Sequence, residues 1–110
     1  MPSLEQIRQM TEQFPDDPML RFSLGQKLLE DFPEDQEKLE EACHHFEFVS
    51  EKQPGHAANS LSYGKALIAL GTEDKAKEIL TAGLDKAQKM SDSGHDLIPA
   101  IEELLKTLEE

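Results

Sequence analysis

Apolar residues recur along this chain at spacings of three and four, in six runs separated by short polar clusters. Leu4, Ile7, Thr11 and Phe14 mark the first run, and Met19, Leu20, Leu24 and Leu28 the second. Leu39, Ala42, Cys43, Phe46 and Val49 or Ser50 mark the third, and Leu61, Leu67, Ile68 and Leu70 the fourth. Ala76, Ile79, Leu80 and Leu84 form the fifth, and Leu97, Ile101, Leu104, Leu105 and Leu108 the sixth. This is the period of a helix with one buried face. No stretch alternates with period two for long enough to make a strand, so the pattern predicts an all-α fold.

The polar clusters agree with that reading. FPDDP (14–18), DFPED (31–35), KQPGH (52–56), LGT (70–72) and SDSGH (91–95) gather the residues that break helices and build turns. Thr72 is the expected N-cap of the fifth helix, with Glu73 and Asp74 in its first turn and Lys86 and Lys89 near its end, signs that complement the helix dipole. Pro18 and Pro33 are placed in first turns, where the missing N–H costs nothing. Pro99 requires the last helix to start at about Asp96 or later.

An internal period underlies the six helices. Ala42, Phe46 and Val49 are followed 34 residues on by Ala76, Leu80 and Gly83, and Tyr63, Gly64 and Leu67 by Leu97, Ile98 and Ile101. Leu24, Gly25 and Leu28 match Tyr63, Gly64 and Leu67 at an offset of 39, and Ser3, Ile7, Met10 and Pro15 match Ala42, Phe46, Val49 and Pro54 at the same offset. The five extra residues lie around EDFPEDQEK, 30–38. A glycine inside a helix costs about 0.5–1 kcal/mol relative to alanine. Gly25 and Gly64 recur in register, which points to a close helix crossing, with Ala42 and Ala76 as facing small residues and Phe46 and Leu80 beside them.

In this register the chain resembles the tetratricopeptide repeat family, whose unit is a 34-residue antiparallel helix pair, and specifically a small bacterial-type member. LGQKL (24–28) and YGKAL (63–67) are similar to the family's first-helix core. ALGTEDKAKEIL (69–80) is similar to its turn and second-helix start, and EACHHFEFVSEKQPGH (41–56) to its second helix and closing turn. Arg21 and Ser60 depart from the family by replacing an aromatic, and Gly83 by replacing alanine. The resemblance implies a right-handed α-solenoid: a half-repeat helix in 1–15, one repeat in 18–55 carrying the insertion, a second in 56–90, and a capping helix in 91–110. An isolated pair leaves a face unburied, so helices at about 3–13 and 96–109 are expected to seal the ends, the last with the polar outer side of LKTLEE.

Composition narrows the chemistry. A net charge of −12, from 23 acidic and 11 basic residues, disfavours nucleic acid and anionic membrane surfaces as ligands. The acidic excess is concentrated between Glu30 and Glu51, where Lys38 is the single base. No run reaches the roughly 20 apolar residues of a membrane span, and MPSLEQIRQM lacks the regions of a signal peptide. With one cysteine, Cys43, the expectation is a cytoplasmic protein without a disulfide framework.

Cys43, His44, His45, His56 and His95 raise the question of a metal. Adjacent helical residues point about 100° apart, so His44 and His45 do not chelate together, and no pair of His or Cys stands at i, i+4. Cys43 reads as a buried thiol filling the core. No phosphate-cradling glycine loop, catalytic cysteine setting or convergent carboxylate pair is present, so neither cofactor nor enzyme activity is expected.

The resemblance implies instead a protein-interaction module, in which the first helix of each pair lines a concave groove. The positions are Met19, Phe22, Gln26 and Leu29 in the first repeat, and Ala58, Leu61, Lys65 and Ile68 in the second. Leu29, Leu61 and Ile68 read equally well as core. Phe22 as an exposed aromatic and Lys65 as an ammonium would hold an apolar and acidic peptide. Phe22, Gln26, Ser62, Asp92 and Asp96 occupy the positions where some family members clamp a peptide's C-terminal carboxylate, so that activity is not expected. The alternative is a homodimer formed through exposed apolar residues such as Phe48 and Met19.

Overall fold

The computed structural model describes residues 2–90 and 96–109. The expected SDSGH turn, with Asp92 and His95, lies outside them. Six helices follow in order: α1 (Leu4–Gln13), α2 (Pro18–Asp31), α3 (Gln36–Lys52), α4 (Ala57–Ala69), α5 (Glu73–Lys89) and α6 (Leu97–Glu109). Among the described residues there is no strand.

Local chemistry starts each helix. Ser3 caps α1 in a capping box, its hydroxyl accepting from Gln6 N while the Gln6 side chain accepts from Ser3 N at 2.8 Å. Asp17 caps α2, accepting from Met19 N at 2.9 Å, and Pro18 takes the first helical position as expected. Asp35 caps α3 by accepting from Lys38 N. Pro33 therefore sits in the α2–α3 turn rather than in a first turn. At α5, Thr72 occupies the cap position but its side chain makes no capping hydrogen bond; the acidic first turn and basic last turn carry the dipole match instead. Pro99 is the third residue of α6, where no intrahelical N–H is needed.

Gly71 ends α4 with φ +80°, the left-handed residue that lets Thr72 N reach back to Leu67 O at 2.9 Å. The insertion of the first pair is absorbed regularly. Compared with α4–α5, one extra residue lengthens the end of α2, one widens the turn, and three add most of a turn to the start of α3.

The helices pack as antiparallel pairs, α2 against α3 and α4 against α5, with α3 on α4 joining them, α1 closing against α2 and α6 against α5. One core cluster holds Ile7, Leu24, Leu28, Ala42, Phe46, Tyr63, Ala66, Leu67 and Ala76. A second holds Ala57, Leu80, Ala87 and Ile101, and half-buried Ile68 and Leu108 touch both. The crossing glycines stand directly under the large residues: a Cβ on Gly25 would meet Phe46 Cε1 at 2.6 Å, and one on Gly64 would collide with the Leu80 methyls. Phe46 and Leu80, rather than Ala42 and Ala76, are thus the residues the glycines face.

The departures at Ser60 and Gly83 pack on each other, a Cβ at Gly83 standing only 2.6 Å from Ser60 Cβ. Lys86 Nζ donates to the Ser60 hydroxyl at 3.2 Å. Asn59, fully buried, ties α4 to α3 by donating to Phe46 O at 2.9 Å and Ser50 Oγ at 3.0 Å. The radius of gyration is 13.5 Å, close to the roughly 13 Å of an ordinary globule of this length. Two pairs and their caps are too few to wind a deep superhelix.

Candidate functional site

The inner face is built by first helices, since α2 touches α4 and α4 touches α6. Phe22 projects from α2 toward the start of α4, but it is half-buried rather than exposed. Its ring lies 4.9 Å from that of His56 and 6.2 Å from that of Phe46, tilted against both. The exposed aromatic expected there is corrected by the stacking of His56, whose counterpart in the repeat register, Asp17, carries no ring. His56 is fixed because its Nδ1 caps α4, accepting from Asn59 N at 3.0 Å. Burial pushes its pKa below the ordinary value of 6.5, leaving a neutral ring beside Phe22.

Phe22 and Gln26 share a cleft of about 200 Å³, walled by Pro2 and Ile7 on one side and Ser23, Lys27 and Glu30 on the other. Ala58 lines a separate opening, with His56, Ala57, Met90, Asp96 and Leu97. Leu61, Lys65 and Ile68 line neither. Leu29, Leu61 and Ile68 are half-buried against the core clusters. Lys65 is exposed, and none of the ion pairs among the described residues involves it. Met19 is 54% exposed and stands at the α1–α2 corner with Met10 at 43% and Phe14 at 60%. Phe14, placed on the buried face by its spacing, is in fact the outward C-cap of α1. Phe48 is half-buried, its ring covered by Arg21 at 4.3 Å and flanked by Lys52 at 5.6 Å, so it is not among the exposed large apolar residues.

A side-chain network across the opposite side of α1 joins the i, i+4 pair Glu41 and His45 to two arginines that no local signal connects to it, because those links span 33 and 24 positions. Arg8 donates to both oxygens of Glu41, at 2.6 and 2.9 Å. His45 bridges from Glu41 to Arg21 at 3.3 and 3.4 Å. The Arg8 hydrogen bond, above all, holds the Glu41 carboxyl below its usual range. Cys43 is half-buried, and burial pushes its thiol up to about 11, far from a reactive thiolate. Among the described residues no three His, Cys, Asp or Glu side chains gather to hold a metal, and no helix is long and apolar enough to cross a membrane.

The tetratricopeptide repeat family's sequence profile matches residues 34–97, from within the insertion to the first residue of α6. The chain belongs to the tetratricopeptide repeat family. This is a family of helical repeats that mediate protein–protein interaction rather than one typified by catalysis. The solution structure of protein BPP2914 from Bordetella parapertussis is similar across 99% of this chain and 89% of that one, with a TM-score of 0.77 at 24% identity. That likeness establishes the shared fold. No curated protein matches the chain. The tetratricopeptide architecture accounts for the glycine register and the paired helices.

Proposed function

We propose that this tetratricopeptide protein is an adaptor whose inner face, along α2 and α4, takes a peptide or partner helix. The observation that carries the reading is the cleft beside Phe22 and Gln26, which lies between α2 and the N-terminal segment and covers the α2 part of that face alone. It joins an apolar ring edge to amide and hydroxyl groups on a rigid helix, the composition of a peptide-docking surface. Lys65, exposed and outside every ion pair described, supplies a cation for an acidic group of the ligand. Partners are first found by co-purification and their binding then measured by calorimetry. Lys65→Glu and Phe22→Ala should each weaken it at least about tenfold, or about 1.4 kcal/mol, with helical circular dichroism unchanged. Because Phe22 also packs on Phe46, Lys65→Glu is the cleaner of the two. Undiminished binding by both variants moves the site elsewhere.

A second reading is favoured by the corner formed by Met10, Phe14 and Met19, the large apolar residues most exposed among those described. In this reading the corner joins two copies of the chain. Light scattering across a concentration series would then show dimers that Met19→Lys abolishes; a strict monomer at high concentration rejects it.

A further inference from the structure

The Arg8–Glu41–His45–Arg21 chain links three helices and one turn through side chains. Arg8 belongs to α1, Arg21 to α2, and Glu41 and His45 to α3. Arg21 also donates its Nε to Pro15 O at 2.9 Å, so it holds the α1–α2 turn as well as the imidazole. The donor inventory fixes the state of the ring. A guanidinium only donates, so His45 Nδ1 must accept from Arg21. A carboxylate only accepts, so Nε2 must carry the hydrogen that faces Glu41. His45 is therefore neutral in this arrangement, with the proton on Nε2.

A second ring proton would have to sit on Nδ1, directly facing the Arg21 N–H at a 3.4 Å separation. Two donors would then oppose each other, and two cations would be in contact. Glu41 favours the charged ring but does not remove this clash, because it faces Nε2 on the other side of the imidazole and is shared with Arg8. The groups facing the ring from the packed elements are Arg8 of α1, Arg21 of α2 and Glu41 of its own helix. Glu12 of α1 lines the same recess. That recess, of about 280 Å³, gives water a route to a side chain that is only 13% exposed.

We propose that this chain is a proton-sensitive latch on the N-terminal corner. Neutral His45 holds Arg21, and Arg21 holds the α1–α2 turn. A protonated ring expels Arg21 and frees the corner that carries Met10, Phe14 and Met19. The bidentate Arg8–Glu41 pair persists through this change, so α1 stays docked at its middle while its C-terminal end loosens. Burial and the two guanidinium groups oppose the extra proton, placing the transition on the acid side of the ordinary histidine value. The latch stands on the fold alone and does not depend on what occupies the inner face.

Amide hydrogen exchange tests it, corrected for the intrinsic pH dependence and read at the corner amides of Phe14, Asp17 and Arg21. Between about pH 7.5 and about pH 5.5 their protection should fall at least about threefold relative to Leu80 in α5. In His45→Gln the side-chain amide can donate to Glu41 and accept from Arg21 without titrating, so corner protection should stay constant across this range. His56→Gln should behave as the unaltered protein does. Equal loss of protection in His45→Gln, or none in the unaltered protein, overturns the proposal. A second measurement needs no variant: the corner backbone shifts must titrate with the midpoint of the His45 ring. Shifts that follow the His56 ring, or that do not move, overturn it equally.

Discussion

At Gly64 the chain has no room for a methyl group, because the facing Leu80 is fully buried and cannot swing aside. Gly64→Ala would gain about 0.5–1 kcal/mol of helix propensity against about 1–3 kcal/mol of overpacking. The net expectation is a loss of roughly 1–2 kcal/mol in urea unfolding, partly recovered by adding Leu80→Val. A variant as stable as the parent would show that the α4–α5 crossing is looser than its geometry. The histidines set a second expectation at this scale. Burial lowers the folded-state pKa of both His45 and His56 from 6.5. The unfolded chain therefore binds more protons just below 6.5, and stability falls as pH drops through that region while staying level between about pH 7 and about pH 8. Glu41 shifts downward from 4.5, so its pairing with Arg8 is retained until more acid conditions. Urea midpoints across pH should show the first loss in the histidine range, smaller in His45→Gln.

At the scale of elements, the two ends are closed by different means. Helix α1 buries only Ile7 and Thr11 fully and adds the half-exposed Arg8–Glu41 pair. A surface pair of that kind contributes no more than about 1 kcal/mol. Helix α6 closes the other end with Ile101, fully buried against Leu80 and Ala87, and with flanking leucines that are only half-buried. Ile101→Ala should therefore cost about 2–5 kcal/mol. The loss should appear first as faster amide exchange in α6 and the end of α5, before any change in α2 and α3. Simultaneous loss of protection throughout the chain would mean that the stack unfolds as one unit instead of from its end.

The whole molecule combines a net charge of −12 with exposed Met10, Phe14 and Met19 at a corner that also carries Glu12, Asp16 and Asp17. If two copies meet there, like-charge repulsion opposes them, and added salt should promote the dimer. Raising ionic strength from about 0.01 M to about 1 M shortens the screening length from about 30 Å to about 3 Å. The weight-average mass should then rise with salt. If the peptide reading holds instead and the ligand's acidic group pairs with Lys65, added salt should weaken binding. The two readings thus respond to salt with opposite signs.

Six helices, their breaks and the pairing register were legible because they are local or periodic properties. A helix needs its apolar residues three and four apart, a repeat needs its glycine at the same place twice, and both appear as spacing in one dimension. The glycine positions even located the crossings, although only the packed structure showed that Phe46 and Leu80 fill the space above them. What spacing could not reveal was exposure at the surface. Phe22 looked open until His56 stacked on it, Phe48 until Arg21 covered it, and Phe14 looked buried until α1 ended one residue too soon. Glu41 and His45 stand four apart on one helix, but the meeting of that pair with Arg8 and Arg21 depends on three helix axes and not on any interval along the chain. Helix formation and pairing follow from nearest-neighbour periodicity; the side-chain surface is decided by where separate helices bring their ends.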